Sequence, residues 1–218
     1  MKEKALILLS GGQDSTAAAV WGKTCGFDLT AIIFDYGQRH KIEIKSAKKI
    51  AKLLKIPFFI KKIRGVFPKT SALVNKKLKI GMNKKNNLPT SFVPGRNILF
   101  LTIAAAEAYA RGIKKLIIGV SQEDYSGYPD CRAEAIQAIR EAIRTGMEYD
   151  LDIYTPWMYL NKVNEIKFLQ TKGYLNILKY SHTCYNGIKG GCGKCPACKI
   201  RQAAFDKAKI ADPIKERR

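Results

Sequence analysis

With 218 residues, 46% of them hydrophobic and 26% charged, the chain fits one globular domain with at most a small appendage, which excludes wholesale disorder and fibrous classes. Its net charge of +21, from 39 basic and 18 acidic residues, lies far outside the usual range for a small domain and makes a polyanion an expected companion. The longest apolar runs, at 5–9 and 98–106, fall short of the ~20 residues of a membrane helix, and the first residues carry no secretory core or cleavage site, so a cytoplasmic protein without a membrane partner is expected.

Residues 4–9 read as a buried strand ending at Ser10-Gly11-Gly12, followed by a helix from about 14 to 24 that Cys25-Gly26 stops. Residues 29–34 predict a second strand, 41–55 a second helix, and 56–63 a third strand opening at Pro57. This order implies a parallel sheet with helices on both faces. In the second helix Lys41, Lys45, Lys48, Lys52 and Lys55 recur three or four apart, opposite Ile44, Ala47, Ala51 and Leu54. From Lys41 to Lys85 there are 15 basic residues and one acid, Glu43. A solvated lysine face explains the pattern most simply, and RNA or an anionic substrate is the competing explanation.

Residues 65–92 contain Pro68, Gly81, Pro89 and an Asn/Lys-rich tract without a period, which predicts a loop or lid. Helices are expected at 95–111, 131–146 and 161–173, a fourth strand at 115–119 and a weaker one at 153–155. Residues 181–198 read as an irregular lobe pinned by cysteines, and 199–209 as a short closing helix.

Between the first strand and helix lies Ser10-Gly11-Gly12-Gln13-Asp14-Ser15. Two glycines let the backbone turn sharply and leave N–H groups uncovered, while Ser10 and Ser15 add hydroxyls at a helix N-terminus, which together make an anion cradle. A simple turn capped by Asp14 or Ser15 would account for the glycines alone. Neither the GxxxxGK[ST] nor the GxGxxG pattern is present. The whole string resembles the pyrophosphate loop of PP-loop ATPases, or N-type ATP pyrophosphatases, which split ATP between its α and β phosphates to adenylate a substrate.

Cys184, Cys192, Cys195 and Cys198 fall within fifteen residues, with glycines at 187, 190, 191 and 193 that let the backbone wrap an ion. Four thiolates suit tetrahedral zinc; an iron–sulfur cluster competes, and a disulfide is disfavoured in a reducing compartment. Such a closed site organises a lobe and does not activate water. Asp35-Tyr36-Gly37-Gln38-Arg39-His40 follows the second strand, where doubly wound sheets place ligand loops. Phe92-Val93-Pro94-Gly95-Arg96-Asn97 puts Arg96 at a helix start, and Ser126-Gly127-Tyr128-Pro129-Asp130-Cys131-Arg132 mixes an aromatic ring, a carboxylate and a guanidinium.

Taken together, SGGQDS at 10–15, DYGQRH at 35–40, FVPGRNILFL at 92–101, SGYPDCR at 126–132 and CYNGIKGGCGKCPAC at 184–198 resemble the QueC family, in order and over most of the chain. The resemblance implies an α/β Rossmann-like PP-loop fold, with an ATP-binding domain at 1–180 and a C-terminal four-cysteine zinc lobe and terminal helix at 181–218 packed on it. It implies a structural zinc on the four cysteines and a carbon–nitrogen ligase that converts 7-carboxy-7-deazaguanine, ammonia and ATP into the nitrile, in queuosine biosynthesis. ATP with magnesium would lie on Ser10, Gly11, Gly12, Gln13, Asp14, Ser15 and Thr16, with Asp14, Ser15, Arg96 and Lys162 as catalytic groups. Tyr36, Arg39, Arg96, Asp124, Tyr128, Asp130 and Arg132 would contact the substrate, with Asp130 on its guanine-like edge. A homodimer is also implied.

The chain departs from the family in three places. The usual longer insertion before FVPGRN is absent. Lys162 is followed by Val163-Asn164-Glu165 in place of Lys-x-Glu, and a carboxylate one position displaced points about 100° away around a helix. The acidic pair after the fourth strand is altered to Ser121-Gln122-Glu123-Asp124. A tRNA-modifying PP-loop enzyme and a zinc-knuckle RNA binder are the rival classes. For the ligase, nucleic acid is not required, and only weak non-specific RNA association is expected.

Overall fold

The computed structural model describes residues 2–83, 87–122 and 128–214. Five strands, β1 (Lys4–Leu8), β2 (Asp28–Asp35), β3 (Phe58–Lys62), β4 (Lys115–Ile118) and β5 (Asp152–Tyr154), form one parallel sheet in the order β3-β2-β1-β4-β5. Among the described residues six α-helices accompany it: α1 (Gln13–Thr24), α2 (Ile42–Leu54), α3 (Arg96–Tyr109), α4 (Ala133–Met147), α5 (Lys162–Thr171) and α6 (Pro196–Ala208). The strand order reverses at β1, between β2 and β4, so the ends of β1 and β4 open the crevice where such sheets bind ligands.

Strand periodicity divides the interior into two cores. Ala5, Ile7 and Leu9 point to one face, with Ala31, Ile33 and Ile117, and are covered by α1, α2, α5 and α6. Leu6 and Leu8 point to the other, with Ile32, Phe34, Leu116 and Ile118, and are covered by α3 and α4. Because both faces are covered, β1 reads as an unbroken apolar run without alternation. Phe205 of α6 is 1% exposed and belongs to the first core.

Most elements lie where the sequence places them. The closing helix begins at Pro196, not at 199, because proline suits the first helical position and Cys195 takes the cap, so Cys198 lies inside the first turn. A six-residue 3-10 segment, Leu175–Tyr180, has no period to announce it. Helix α4 starts at Ala133, after a short 3-10 turn at Pro129–Cys131. Asn161 caps α5, accepting from the Val163 and Asn164 N–H groups in a capping box. The described part of 65–92 holds only turns and one isolated bridge, Met82 to Pro89, and is pinned by buried Ala72 and Leu73. Arg201 is 3% exposed; its guanidinium donates to Asp212, Ser181, Thr183 and the Leu178 carbonyl, binding α6 to the segments around it. No described helix is long and apolar enough to cross a membrane.

Candidate active site

The turn from β1 into α1 is shaped by contact with its neighbours. Gly11 has φ +85°, and a Cβ there would lie 2.6 Å from both the Ala47 nitrogen and the Glu43 carbonyl oxygen of α2. Gly119, at the end of β4, brings its backbone so close to α1 that a Cβ would meet the Asp14 carbonyl at 2.5 Å. The Ser10 and Ser15 hydroxyls lie 2.9 Å apart, and Ser10 Oγ accepts from the Gly12 N–H at 3.3 Å. Thr16, fully buried, donates its hydroxyl to the Gly12 carbonyl at 2.6 Å and fastens the first turn of the helix.

This loop edges a cleft of about 270 Å³. Ser10, Gly12, Gln13, Asp14 and Ser15 line one side, and Arg96, Lys162 and Glu43 reach it from α3, α5 and α2. Lys162 Nζ is paired with Asp14 Oδ1 at 2.5 Å across 148 positions of sequence. Phe34, Tyr36 and Phe100 supply an aromatic wall, in which Phe34 and Phe100 stack at 4.1 Å. Tyr128 and Tyr185 form a second wall: their hydroxyls are 3.2 Å apart, and Tyr128 also bonds Ser91 at 2.6 Å. Phe92 stacks on Tyr128 at 5.9 Å, and the Arg96 guanidinium sits 6.0 Å from the Tyr128 ring centre.

Two cations line the cleft: Lys162, paired with Asp14, and Arg96, set beside the Tyr128 ring. Burial opposes the charge of Arg96, but the Tyr36, Cys131, Tyr128 and Asp130 groups around it push its pKa up, so Arg96 stays charged. Burial, reinforced by Glu43, pushes the Tyr36 phenol up. Burial likewise lifts the Glu43 carboxyl to about 7, with Arg96 pulling the other way. The Cys131 thiol, in the same cleft, is pushed to about 12 by burial and Asp130. A thiol held neutral in this way is a poor nucleophile.

The remaining anticipated site residues are distributed differently. Gln13, 2% exposed, donates to Glu165 Oε2 at 3.1 Å, so Glu165 lies fully buried beneath the loop despite its displaced position along α5. Arg39 sends its guanidinium to the Leu78 carbonyl at 3.2 Å, and Arg132 is exposed at the cap of α4; neither lines the cleft. Asp130 accepts the Asn97 backbone N–H at 3.0 Å, capping α3, and does not line the cleft either. Asp124 lies outside the described residues, as do Ser126 and Gly127. Sequence reasoning missed Glu43 and Tyr185 as cleft residues. The signal for Glu43 was present: it is the single acid among the 15 basic residues of 41–85.

The four cysteines of the C-terminal lobe form a second centre. Their sulfur atoms all lie within 4.8 Å of one another, and Cys192 Sγ is 3.9 Å from Cys198 Sγ. A tetrahedral ion with bonds of about 2.3 Å has sulfur–sulfur edges of roughly 3.8 Å, so the donor set fits a metal. Cys192 Sγ also accepts the Lys194 and Cys195 N–H groups at 3.4 and 3.3 Å and the Asn186 amide at 3.4 Å, as a thiolate ligand would. His182, at the start of the lobe, bonds the Cys184 carbonyl through Nε2 at 2.9 Å.

A family model described as "Queuosine biosynthesis protein QueC" matches residues 4–209. Proteins named 7-cyano-7-deazaguanine synthase are similar along nearly their whole length. That of Chromobacterium violaceum is 43% identical over 221 residues, covering 99% of this chain and 94% of that protein. That of Laribacter hongkongensis is 42% identical, with 99% and 95% covered, and that of Clostridium acetobutylicum 42%, with 94% of each. Among solved structures, a 4-thiouridine synthetase in complex with RNA and ATP has a TM-score of 0.53 at 18% identity, covering 95% of this chain and 50% of that one. NMN synthetase from Francisella tularensis has a TM-score of 0.50 at 16% identity, covering 99% and 81%. At such identities the structural likeness concerns the fold alone.

Proposed function

The chain belongs to the QueC family of queuosine biosynthesis proteins, and from that premise we propose that its cleft converts 7-carboxy-7-deazaguanine and ammonia, with ATP, into 7-cyano-7-deazaguanine. The observation that carries this reading is the convergence of the Ser10–Ser15 loop, the Asp14–Lys162 pair and Arg96 on one aromatic-walled cleft. A carboxylate does not expel hydroxide at neutral pH, so its oxygen must first be made a leaving group. ATP does this by adenylation, in which the carboxylate oxygen attacks the α phosphorus and pyrophosphate departs. Ammonia then attacks the acyl carbon and AMP leaves, giving the amide. A second adenylation, on the amide oxygen, followed by loss of AMP and the nitrogen's protons, gives the nitrile.

The loop's hydroxyls and N–H groups suit the phosphates of ATP, and Asp14 is the carboxylate available to share their magnesium. Lys162 and Arg96 supply positive charge where negative charge grows on the phosphoryl and acyl oxygens. Tyr36 and Tyr128 offer faces to a flat heterocycle. Zinc is the ion proposed for the four cysteines, where it would hold the lobe together and take no part in the reaction. The protein would act in the cytoplasm as a homodimer, with the cysteine lobe packed on the ATP-binding domain of residues 1–180.

The test is incubation of the protein with ATP, magnesium, ammonium and 7-carboxy-7-deazaguanine, with the products weighed by mass spectrometry. Formation of the nitrile with AMP is the expected result; ATP cleavage that leaves the acid unchanged would refute the assignment.

A further inference from the structure

The proposed substrate's pyrimidinone ring carries two adjacent donors, the ring N–H and the exocyclic amino group, and the usual partner for such a pair is one carboxylate accepting both. Among the described residues, four acids are near enough to the Ser10–Ser15 loop to be considered. Asp130 is engaged as the cap of α3 through Asn97 and does not line the cleft. Asp14 is ion-paired with Lys162, and Glu165 is fully buried and accepts the Gln13 amide. Glu43 lines the cleft from the first turn of α2, and among the described residues no side chain is hydrogen-bonded or ion-paired to it.

We infer that Glu43 is the receptor for the paired N–H donors of the substrate's ring, and so the residue that selects a guanine-type edge; this rests on the proposed function. Its backbone is registered to the loop by the close approach at Gly11, so the acid is held at a set place relative to the phosphates. Arg96 and the aromatic faces of Tyr36 and Phe100 line the same cleft. An acid, a guanidinium and two rings match a planar ligand that carries a donor edge and a carboxylate of its own. A carboxyl that burial lifts to about 7 lacks donors in the free protein, and the ligand brings two. Adenine has no ring N–H beside its amino group, so ATP is not the expected partner of this acid.

The experiment compares Glu43→Gln with the wild type for three ligands, by calorimetry and by KM and kcat: 7-carboxy-7-deazaguanine, its analogue lacking the 2-amino group, and ATP. The expected result is a roughly 10- to 100-fold weaker affinity for the full substrate in the variant, a much smaller change for the analogue, and an unchanged KM for ATP. Glu43→Asp, which keeps the charge on a shorter arm, should fall between. Equal losses for substrate and analogue, a raised KM for ATP, or an unchanged substrate affinity would each overturn the inference. If the variant melts well below the wild type, the Glu43→Asp comparison between substrate and analogue decides by the same criteria. A wild type that binds the base but makes no nitrile counts against the proposed function and leaves this binding comparison standing; one that binds no base overturns both.

Discussion

The backbone N–H of His182 donates to the carbonyl oxygen of Gly11 at 2.8 Å, so the Ser10–Ser15 loop is hydrogen-bonded to the start of the cysteine lobe. The imidazole of the same His182 bonds the carbonyl of Cys184, the first cysteine of the lobe. A short chain of contacts therefore runs from the four-cysteine cluster to the loop. Removing the ion with a chelator, or replacing Cys195 by Ser, should lower the melting temperature by roughly 5 °C or more and weaken nucleotide binding together. Fluorescent-nucleotide titration reads the second effect, and a chelated protein that kept its full affinity would sever the two centres.

Gly11 itself has no room to change. Gly11→Ala combines a positive φ with backbone atoms 2.6 Å from the new Cβ, so a loss of about 2–4 kcal/mol is expected in urea unfolding. Gly146→Ala is the control: the site lies inside α4 with open space around it, and the substitution should stabilise by about 0.5–1 kcal/mol. Similar midpoints for the two variants would contradict the packing described.

Asp14→Ala, Ser15→Ala and Lys162→Ala should each reduce nitrile synthesis below roughly a tenth of the wild type while leaving the fold intact. These side chains contribute charge and hydrogen bonds at the cleft and little core area. Steady-state turnover with matched thermal melts separates the two effects.

Asp35, at the end of β2, is held at a pKa of about 2 chiefly by its hydrogen bond from Arg64, against an opposing effect of burial, with Gly37 and Lys41 assisting. A lowered folded-state value means that the pair stabilises the protein above the unfolded carboxyl's pKa, and that this is lost as pH falls from about 4 to about 2. Arg64 is more than half exposed, so solvent screening keeps the contribution small. Asp35→Asn should therefore melt slightly below the wild type at pH 7 and converge with it near pH 2; parallel curves at all pH values would show the pair to be inert.

Lys45 and Lys52 are exposed and Lys48 half-buried, on the face of α2 turned from the core. Changing all three to Gln should leave kcat within a few fold. RNA association, where measurable, should weaken and lose its steep salt dependence. Loss of nitrile synthesis would place this helix face in the site.

The fold was legible because its signals are local. The apolar runs of β1 and β2, the glycines that end them and the cap at Asn161 each act within a few residues. The cysteine cluster was equally legible, since its four cysteines span fifteen residues. The start of α6 and the 3-10 segment at Leu175–Tyr180 were not, because a proline at a first helical turn and a run without period look alike in sequence.

By itself the sequence determined the parallel α/β architecture, the glycine-rich turn into the first helix and the four-cysteine cluster, all consequences of short-range spacing and of strands buried on both faces. Only the tertiary structure decided which charged groups share the cleft. Asp130 and Arg39 sit in motifs that promise ligand contact, yet helix capping and a loop carbonyl claim them. Glu43 sits in a run of lysines, yet α2 packs against Gly11 and presents it to the cleft. The reason is physical: a side chain's work is set by the nearest partner with unmet hydrogen bonds or charge, and at Lys162 and Asp14 that partner lies 148 residues away along the chain.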